Sequence, residues 1–396
     1  MPSKRFQIIA IFITIFIDLI GFGILIPVLP TYAKNFLGAN EFHIGLILAS
    51  YSFMQFLFNP IIGQLSDKFG RKLFIVSCLY LLGITYFLLP FAKNVWLFLI
   101  IRAIAGIGGA NIGVSQAYIA DITTKEERTK AMGIIGVAFG FGFMIGPVIG
   151  GIISHYLGFF YIGVFSGLLS TTAATFALIV IPKTKTSFKQ ITIKHFKLID
   201  YGNFTKILNL PEVGLLILLF FIVTFSIANI FGTLPLLGIQ IYKLNDLHIG
   251  IVMSSMGLAG ILTQAFLTHN LENKLGYYKL LLLSMIILAL GLALMPLGNN
   301  VFYLIFFVIV FAVGQGLLQN LLPSLISKKS PHNLQGAILG VNQSLSAFAR
   351  ALGPLWGGFS FHYIGYKTPY LTGSIFALLT FFIARNNLKG KYDTNK

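Results

Sequence analysis

Twelve stretches of about twenty mostly apolar residues follow one another along this chain, each closed by charges, proline or an Asn/Gly cluster. They run from Ile8 to Ala33, Ile44 to Ser66, Leu73 to Phe91, Val95 to Ile119, Ala131 to Tyr156, Phe160 to Ile181, Val213 to Ile239, Ile249 to Thr268, Tyr278 to Leu297, Val301 to Ile326, Ala337 to Tyr363 and Thr368 to Ala384. Hydrocarbon offers a peptide group no water to bond with, so stretches of this length predict helices that satisfy their own backbone. The expected fold class is therefore an all-α polytopic membrane protein. Only 10% of the residues are charged, against roughly 25% in a soluble domain. The first stretch holds Asp18, Pro27 and Pro30 and lacks a small-residue cleavage site, so it is expected to be a retained helix. One cysteine, Cys78, excludes an internal disulfide framework and reads as a small packing residue.

Charge sets the expected orientation, because Lys and Arg flanking spans stay on the cytoplasmic side. With the N-terminus inside, all but six of the 28 basic residues fall on that side; the exceptions are Lys34, Lys93, Lys243 and Lys367 opposite, and Arg102 and Arg350 within spans. Both termini are then cytoplasmic, and the net charge of +17 signals orientation and anionic lipid instead of nucleic acid. The long polar stretch from Pro182 to Pro211 divides the chain into residues 1–182, a cytoplasmic linker 183–211, and residues 212–396. Within the linker, Phe188, Ile191, Phe196 and Ile199 recur near helical spacing among lysines, which suits either a basic surface helix or a plain tether.

The two halves read as repeats. Gly142, Gly146, Pro147, Gly150 and Gly151 of the fifth span reappear around Gly353-Pro354 and Gly357-Gly358 of the eleventh. The short loop Gly63-Gln64-Leu65-Ser66-Asp67-Lys68-Phe69-Gly70-Arg71-Lys72 returns in worn form around Leu271 to Gly276, at a spacing that differs by one residue. In the second copy Asn273 replaces Asp67 and Tyr277 replaces Arg71, so a charged latch is expected in the first half alone. Duplication of this kind predicts two pseudo-symmetric six-helix halves with substrate bound near the midplane.

The loop resembles the signature between the second and third helices of the major facilitator superfamily, with Gly63, Leu65, Asp67, Gly70, Arg71 and Lys72 in place. Arg102-Ala103-Ile104-Ala105-Gly106-Ile107-Gly108 is similar to the R-x-x-x-G-x-G motif of its proton-linked members. The glycine and proline run of the fifth span is similar to the motif of its antiporters, and Asp18 to Gly23 followed by Pro27 and Pro30 resembles its twelve-helix drug/proton exporters, the tetracycline exporters included. The resemblance covers essentially the whole chain. It implies proton-coupled antiport of small organic compounds by alternating access, across the inner membrane, by a monomer that needs no cofactor beyond the proton gradient. A metabolite, siderophore or organic-anion transporter of the same superfamily is the alternative.

Asp18 is the only acidic residue deep in a span, where an unpaired carboxylate costs several kcal/mol. It must be protonated, paired or wetted, and is expected to carry the transported proton. Arg102 keeps its charge and needs an anion, water or substrate, which makes it either a second coupling residue or half of a fixed ion pair. Asp121, at the inner end of the fourth span, is expected through the resemblance to pair with Arg71 and, with Asp67, to latch the closed cytoplasmic side. The fifth-span glycines permit close packing, with a hinge or seal as the sharper reading. Arg350 has no counterpart in the first copy; it could hold an anionic or zwitterionic substrate, pair with Asp18, or satisfy helix carbonyls. Gln116, Gln319 and Asn342 are further candidates to line the cavity. The chain has no G-x-x-x-x-G-K-[ST] phosphate loop and no His, Cys and acid spacing suited to metal, and a lone buried Asp is not the clustered set an enzyme needs.

Overall fold

The computed structural model describes residues 4–123, 125–182, 201–331 and 334–388, and among them nearly all are helical and none forms a strand. The part of the linker read above as basic helix or tether lies outside the described residues. The chain divides into two compact units, residues 1–38 with 50–199, and residues 39–49 with 200–396.

The first unit comprises α1 (Lys4–Leu25), α2 (Leu29–Leu37), the later part of α3 (Glu41–Phe69), α4 (Arg71–Leu88), α5 (Val95–Gly108), α6 (Asn111–Ile122), α7 (Lys125–Leu157) and α8 (Phe159–Val180). Two expected spans are each broken in two. The first gives α1 and α2, because Pro27 has no N–H to extend the helix and Pro30 sits in the first turn of α2, where that donor is not required. The fourth gives α5 and α6, which part at Gly109 and Ala110. The Gly109 carbonyl freed by this break accepts a 2.8 Å hydrogen bond from the buried Gln55 amide, so the interruption is satisfied inside the protein. The core gathers Ile11, Ile15 and Leu19 of α1, Ile75 and Leu79 of α4, Tyr118 and Ile119 of α6, and Ala173, Ala174 and Ala177 of α8, the alanines letting helices approach.

The second unit holds the first turns of α3 with α9 (Tyr201–Leu208), α10 (Pro211–Gln240), α11 (Asp246–Leu262), α12 (Thr268–Leu294), α13 (Val301–Lys329), α14 (Gln335–Tyr363) and α15 (Thr368–Leu388). A π-helical turn, Thr263–Leu267, joins α11 to α12 without a break. The real interruption comes at Gly276 inside α12, with φ of 74° and ψ of 161°. Its partner in the first repeat, Gly70, has φ of 102°. Both sit where an L side chain would be strained, which is why the worn loop keeps its glycine after losing its charges.

Ten stretches of the described residues are long and apolar enough to cross a membrane. One of them, Asp246–Leu297, is 52 residues long and turns at Gly276, giving two passes. α14, 29 residues long, is outside the ten because Gln343, Asn342, Ser344, Ser346 and Arg350 dilute its apolar character. With those two adjustments the architecture is the expected set of twelve, and the chain is a multi-pass membrane protein.

The same pairings recur in each unit. α1 packs along α7 and α4 along α8; α10 packs along α14 and α12 along α15. The glycine motifs make the first pairing possible. A Cβ on Gly146 would lie 2.7 Å from the Gly23 Cα, one on Gly142 would lie 2.6 Å from the Leu19 Cβ, and one on Gly150 would run into the Ile24 carbonyl. In the second unit a Cβ on Gly353 would come within 2.7 Å of the Ala228 Cβ. Gly151 is buried in the same helix and Pro147 stands within 3.4 Å of where a Gly23 Cβ would be. Both copies of the motif thus permit close packing inside their units.

Because the obstructing atoms at Gly146 are backbone, Gly146→Leu should lower the thermal stability of the purified protein by about 1–3 kcal/mol or abolish folding. Gly63→Ala, where nothing lies within 4 Å of the added carbon, should leave it unchanged. Size-exclusion thermal melts of the two variants against the unaltered protein check the contrast.

Candidate functional site

Asp18 lies on the face of α1 that meets α6 and α8 and is 4% exposed. Its two carboxylate oxygens accept one hydrogen bond each, Oδ2 from the Asn111 amide at 3.0 Å and Oδ1 from the Ser170 hydroxyl at 2.8 Å. Among the described residues no cation pairs with it. Asn111 is the first residue of α6, so the break between α5 and α6 is what turns its side chain to the acid, and among the described residues the amide Oδ1 has no partner. Neither Asn111 nor Ser170 was singled out by sequence; the signal was there as an Asn after Gly108-Gly109-Ala110 and as a Ser among the small residues of α8. A second polar tie joins the same helices one end along, the Tyr118 hydroxyl donating to Gln7 Oε1 at 2.9 Å.

Arg102, on α5, is 1% exposed. Its guanidinium carbon stands 4.7 Å from the Tyr51 ring centroid and 5.9 Å from that of Phe22. Nε and Nη1 have no hydrogen-bond partner among the described residues. Among the described residues Arg102 makes no ion pair and is flanked by aromatic faces, an attraction that strengthens with desolvation.

The loop between α3 and α4 forms a compact node. Arg71 Nε bonds Asp121 Oδ2 at 2.9 Å, Nη2 pairs with Asp67, and Nη1 donates to Ser66 Oγ at 2.8 Å and to the Gly63 carbonyl at 3.3 Å. The arginine side chain is 12% exposed and its acids about half exposed, at 50% for Asp67 and 48% for Asp121. Gly70 turns the chain so that Arg71, the first residue of α4, reaches back across the end of α3. Lys72 is half-buried and makes none of these contacts. All members of the node belong to the first unit, so the geometry ties α3, α4 and α6 to one another. In the worn copy Tyr277 accepts from Lys328, whose ammonium lies 4.0 Å from the same ring, and the Asn273 amide meets His269 at 3.2 Å.

Of the remaining candidates, Arg350 is half-buried on α14 and its Nη1 donates to Ser346 Oγ, one turn earlier, at 2.8 Å. Asn342, a further turn back, is buried with Oδ1 unpartnered among the described residues. These three form a polar stripe at i, i+4 and i+8. Gln116 and Gln319 are half-buried without a hydrogen bond among the described residues. The second unit also holds a cluster that sequence reasoning did not assemble: Glu41 accepts from the Gln240 amide at 2.7 Å and meets His362 Nδ1 at 2.7 Å, fastening the start of α3 to the ends of α10 and α14.

A sequence model described as the Major Facilitator Superfamily matches residues 11–354 and, in a second alignment, 218–391. The chain belongs to the Major Facilitator Superfamily. Among its curated relatives, the class H tetracycline resistance protein of Pasteurella multocida is 30% identical over 377 residues, which span 90% of this chain and 89% of that one. Multidrug resistance protein 1 of Bacillus subtilis (strain 168) is 30% identical over 91% of each chain. The solved nucleoside transporter NupG superposes with a TM-score of 0.81 over 97% of this chain and 100% of that chain at 14% identity, which speaks for the fold alone. The superfamily's members are transporters, and this chain is one of them and not an enzyme.

In this superfamily member the loop node turns on Arg71, whose partners among the described residues include Asp67, Asp121, Ser66 and Gly63. Arg71→Ala should therefore raise backbone hydrogen exchange at the α3–α4 turn more than Asp67→Asn or Asp121→Asn, each partly exposed pair being worth on the order of 1 kcal/mol or less. Lys72→Ala should leave exchange unchanged. Equal effects of the Arg71 and Lys72 variants would dissolve the node.

Proposed function

We propose that this chain is a proton-coupled antiporter that exports small organic compounds, tetracycline-like or other drugs among them, by alternating access, with both termini on the cytoplasmic side of the inner membrane. The observation that carries the reading is Asp18, a carboxyl buried in a helix bundle and held by two neutral donors. Neutral donors can serve a carboxylate directly, and Ser170 and Asn111 carry acceptor oxygens that can take a proton's hydrogen bond after protonation, so the site tolerates both forms of the acid. An arginine in that place would fix one form. Arg102, fully buried and incompletely bonded, supplies the second group whose partner can change during a cycle. The relatives' names, tetracycline and multidrug resistance proteins, support drugs as the substrate class.

Arg71 with Asp67 and Asp121 is the proposed cytoplasmic latch, made of partly exposed pairs weak enough to break every cycle. Gln116, Gln319, Asn342 and Arg350 are the proposed cavity groups. The stripe of Asn342, Ser346 and Arg350 favours a second reading, transport of an organic anion or a carboxylate-bearing metabolite or siderophore.

Asp18→Asn preserves size and hydrogen bonding but cannot titrate. In proteoliposomes with an imposed pH gradient it should abolish gradient-driven tetracycline transport while leaving tetracycline binding and thermal stability intact. Gradient-driven transport at the unaltered rate would remove Asp18 from the coupling role. For the cavity, Arg350→Ala should weaken binding of a carboxylate-bearing substrate by about 2 kcal/mol or more and leave an uncharged analogue unaffected. Competitive binding of the matched pair decides between the two substrate readings.

A further inference from the structure

The Asp18 carboxyl sits among oxygens whose bonding capacity is only partly used. Ser170 and the Asn111 amide bond it, while Asn111 Oδ1, on a side chain 2% exposed and already turned to the acid, has no partner among the described residues. Ser166 is also fully buried, with its hydroxyl unpartnered among the described residues. It precedes Ser170 by about one turn of α8, and its carbonyl would lie 3.3 Å from a Cβ on Gly21, which follows Asp18 by about one turn of α1. Both serines therefore lie where α8 runs along α1 at Asp18. The amide of Asn111 comes from the break between α5 and α6, and interrupted helices are where transporters place the sites of coupling ions. The other ionisable residues of the helices packed on α1 are engaged or remote. On α6, Tyr118 bonds Gln7 and Asp121 bonds Arg71. α7 meets Leu19 at Gly142, and its nearest ionisable residues in sequence, Lys130 and His155, are about 18 Å or more along the helix, with Glu126 and Glu127 beyond Lys130. α8 has only Tyr161, nine positions before Ser170. Cys78, Tyr80 and Tyr86 stand on α4, and Arg102 on α5 makes no ion pair with Asp18.

We propose that this cluster is also a sodium site, in which Na⁺ displaces the Asp18 proton and is held by the carboxylate with Ser170 Oγ, Ser166 Oγ and Asn111 Oδ1. This adds a second ion to the antiport reading and rests on its assignment of Asp18 as an acid that ionises in place. The exchange balances: the carboxyl O–H breaks, H⁺ leaves and Na⁺ takes its place, so the buried site carries the same net charge before and after. A half-turn of the Asn111 amide brings Oδ1 to the side where Nδ2 now donates, and the serine hydroxyls turn their lone pairs to the ion. Hard cations take oxygen ligands of this kind. One carboxylate balances a single positive charge, whereas a divalent ion would leave an uncompensated charge in the bundle. The close approach of α8 to α1 at Gly21 favours the smaller alkali ion.

The purified full-length chain, in choline chloride at fixed ionic strength, should bind radioactive sodium saturably, and unlabelled sodium should displace the label better than potassium. Binding should weaken as the pH falls, because the proton competes for the same carboxylate. Asp18→Asn should bind no sodium. Ser166→Ala removes a hydroxyl that makes no hydrogen bond among the described residues, so it should melt with the unaltered chain yet bind sodium about tenfold or more weakly. Should that variant fail to fold, Asn111→Ser, which keeps a donor and loses the amide oxygen, is expected to show the same loss. Lys93→Gln, on the surface, should bind as the unaltered chain does. No sodium binding by the unaltered chain, binding that survives Asp18→Asn or ignores pH, or undiminished affinity in the folded Ser166→Ala variant would each overturn the proposal. Adding exported compound in sodium-free choline medium with a pH indicator separates the two readings. Proton release there without any sodium binding upholds the antiport reading and removes the sodium site, and sodium binding without compound-driven release does the reverse.

Discussion

A polar group inside a bilayer has only the protein to bond with, and most of this structure follows from that constraint. It makes every span a helix, and it makes every interruption of a helix a place that needs a partner. The break between α5 and α6 shows the rule at work: Gln55 takes the freed carbonyl of Gly109, and Asn111, newly at a helix start, is turned to Asp18. A carboxyl that would cost several kcal/mol alone is thereby held without a counter-ion. Arg102 meets the same constraint differently, through the faces of Tyr51 and Phe22.

Pairing of helices is duplicated between the units while their chemistry is not. α1 meets α7 as α10 meets α14, through glycines at matching positions. At the spacing that joins Gly146 to Gly353, Asp18 falls on Phe225, Arg102 on Ile309, and Asp121 on Lys328. The first unit therefore carries Asp18, Arg102 and the Arg71 node, and the second keeps the scaffold, with a tyrosine–lysine contact at the place of the node and its own buried acid, Glu41, at a different position. Small residues tolerate no change in either copy because backbone atoms oppose them, whereas the charged positions sit in a frame that holds without them.

The span count, the repeat and the loop motif around Arg71 were legible because each rests on residues close in sequence or on a periodic pattern. Arg71 and Asp121 came from resemblance, and the 2.9 Å contact gives it a geometry. What sequence left dark is what depends on helices meeting in space. Ser170 is 152 positions from Asp18 and looks like any small residue of a packed helix until α8 is laid against α1. Glu41, Gln240 and His362 lie on three helices and carry no motif, so only packing assembles them. The closing of the fourth span into two helices was hidden for another reason: Gly108 and Gly109 read equally as close-packing residues, and the choice was made by Gln55 and Tyr51 on a different helix.

The proposed antiport requires Asp18 to exchange its proton when substrate arrives. Adding an exported compound to the purified protein in weakly buffered solution, with a pH indicator present, reads that exchange directly, without a membrane or a gradient. Proton release by the unaltered chain and none by Asp18→Asn, at equal compound binding, is the predicted result. Equal release by both proteins, or no release by either while compound binds, would contradict it.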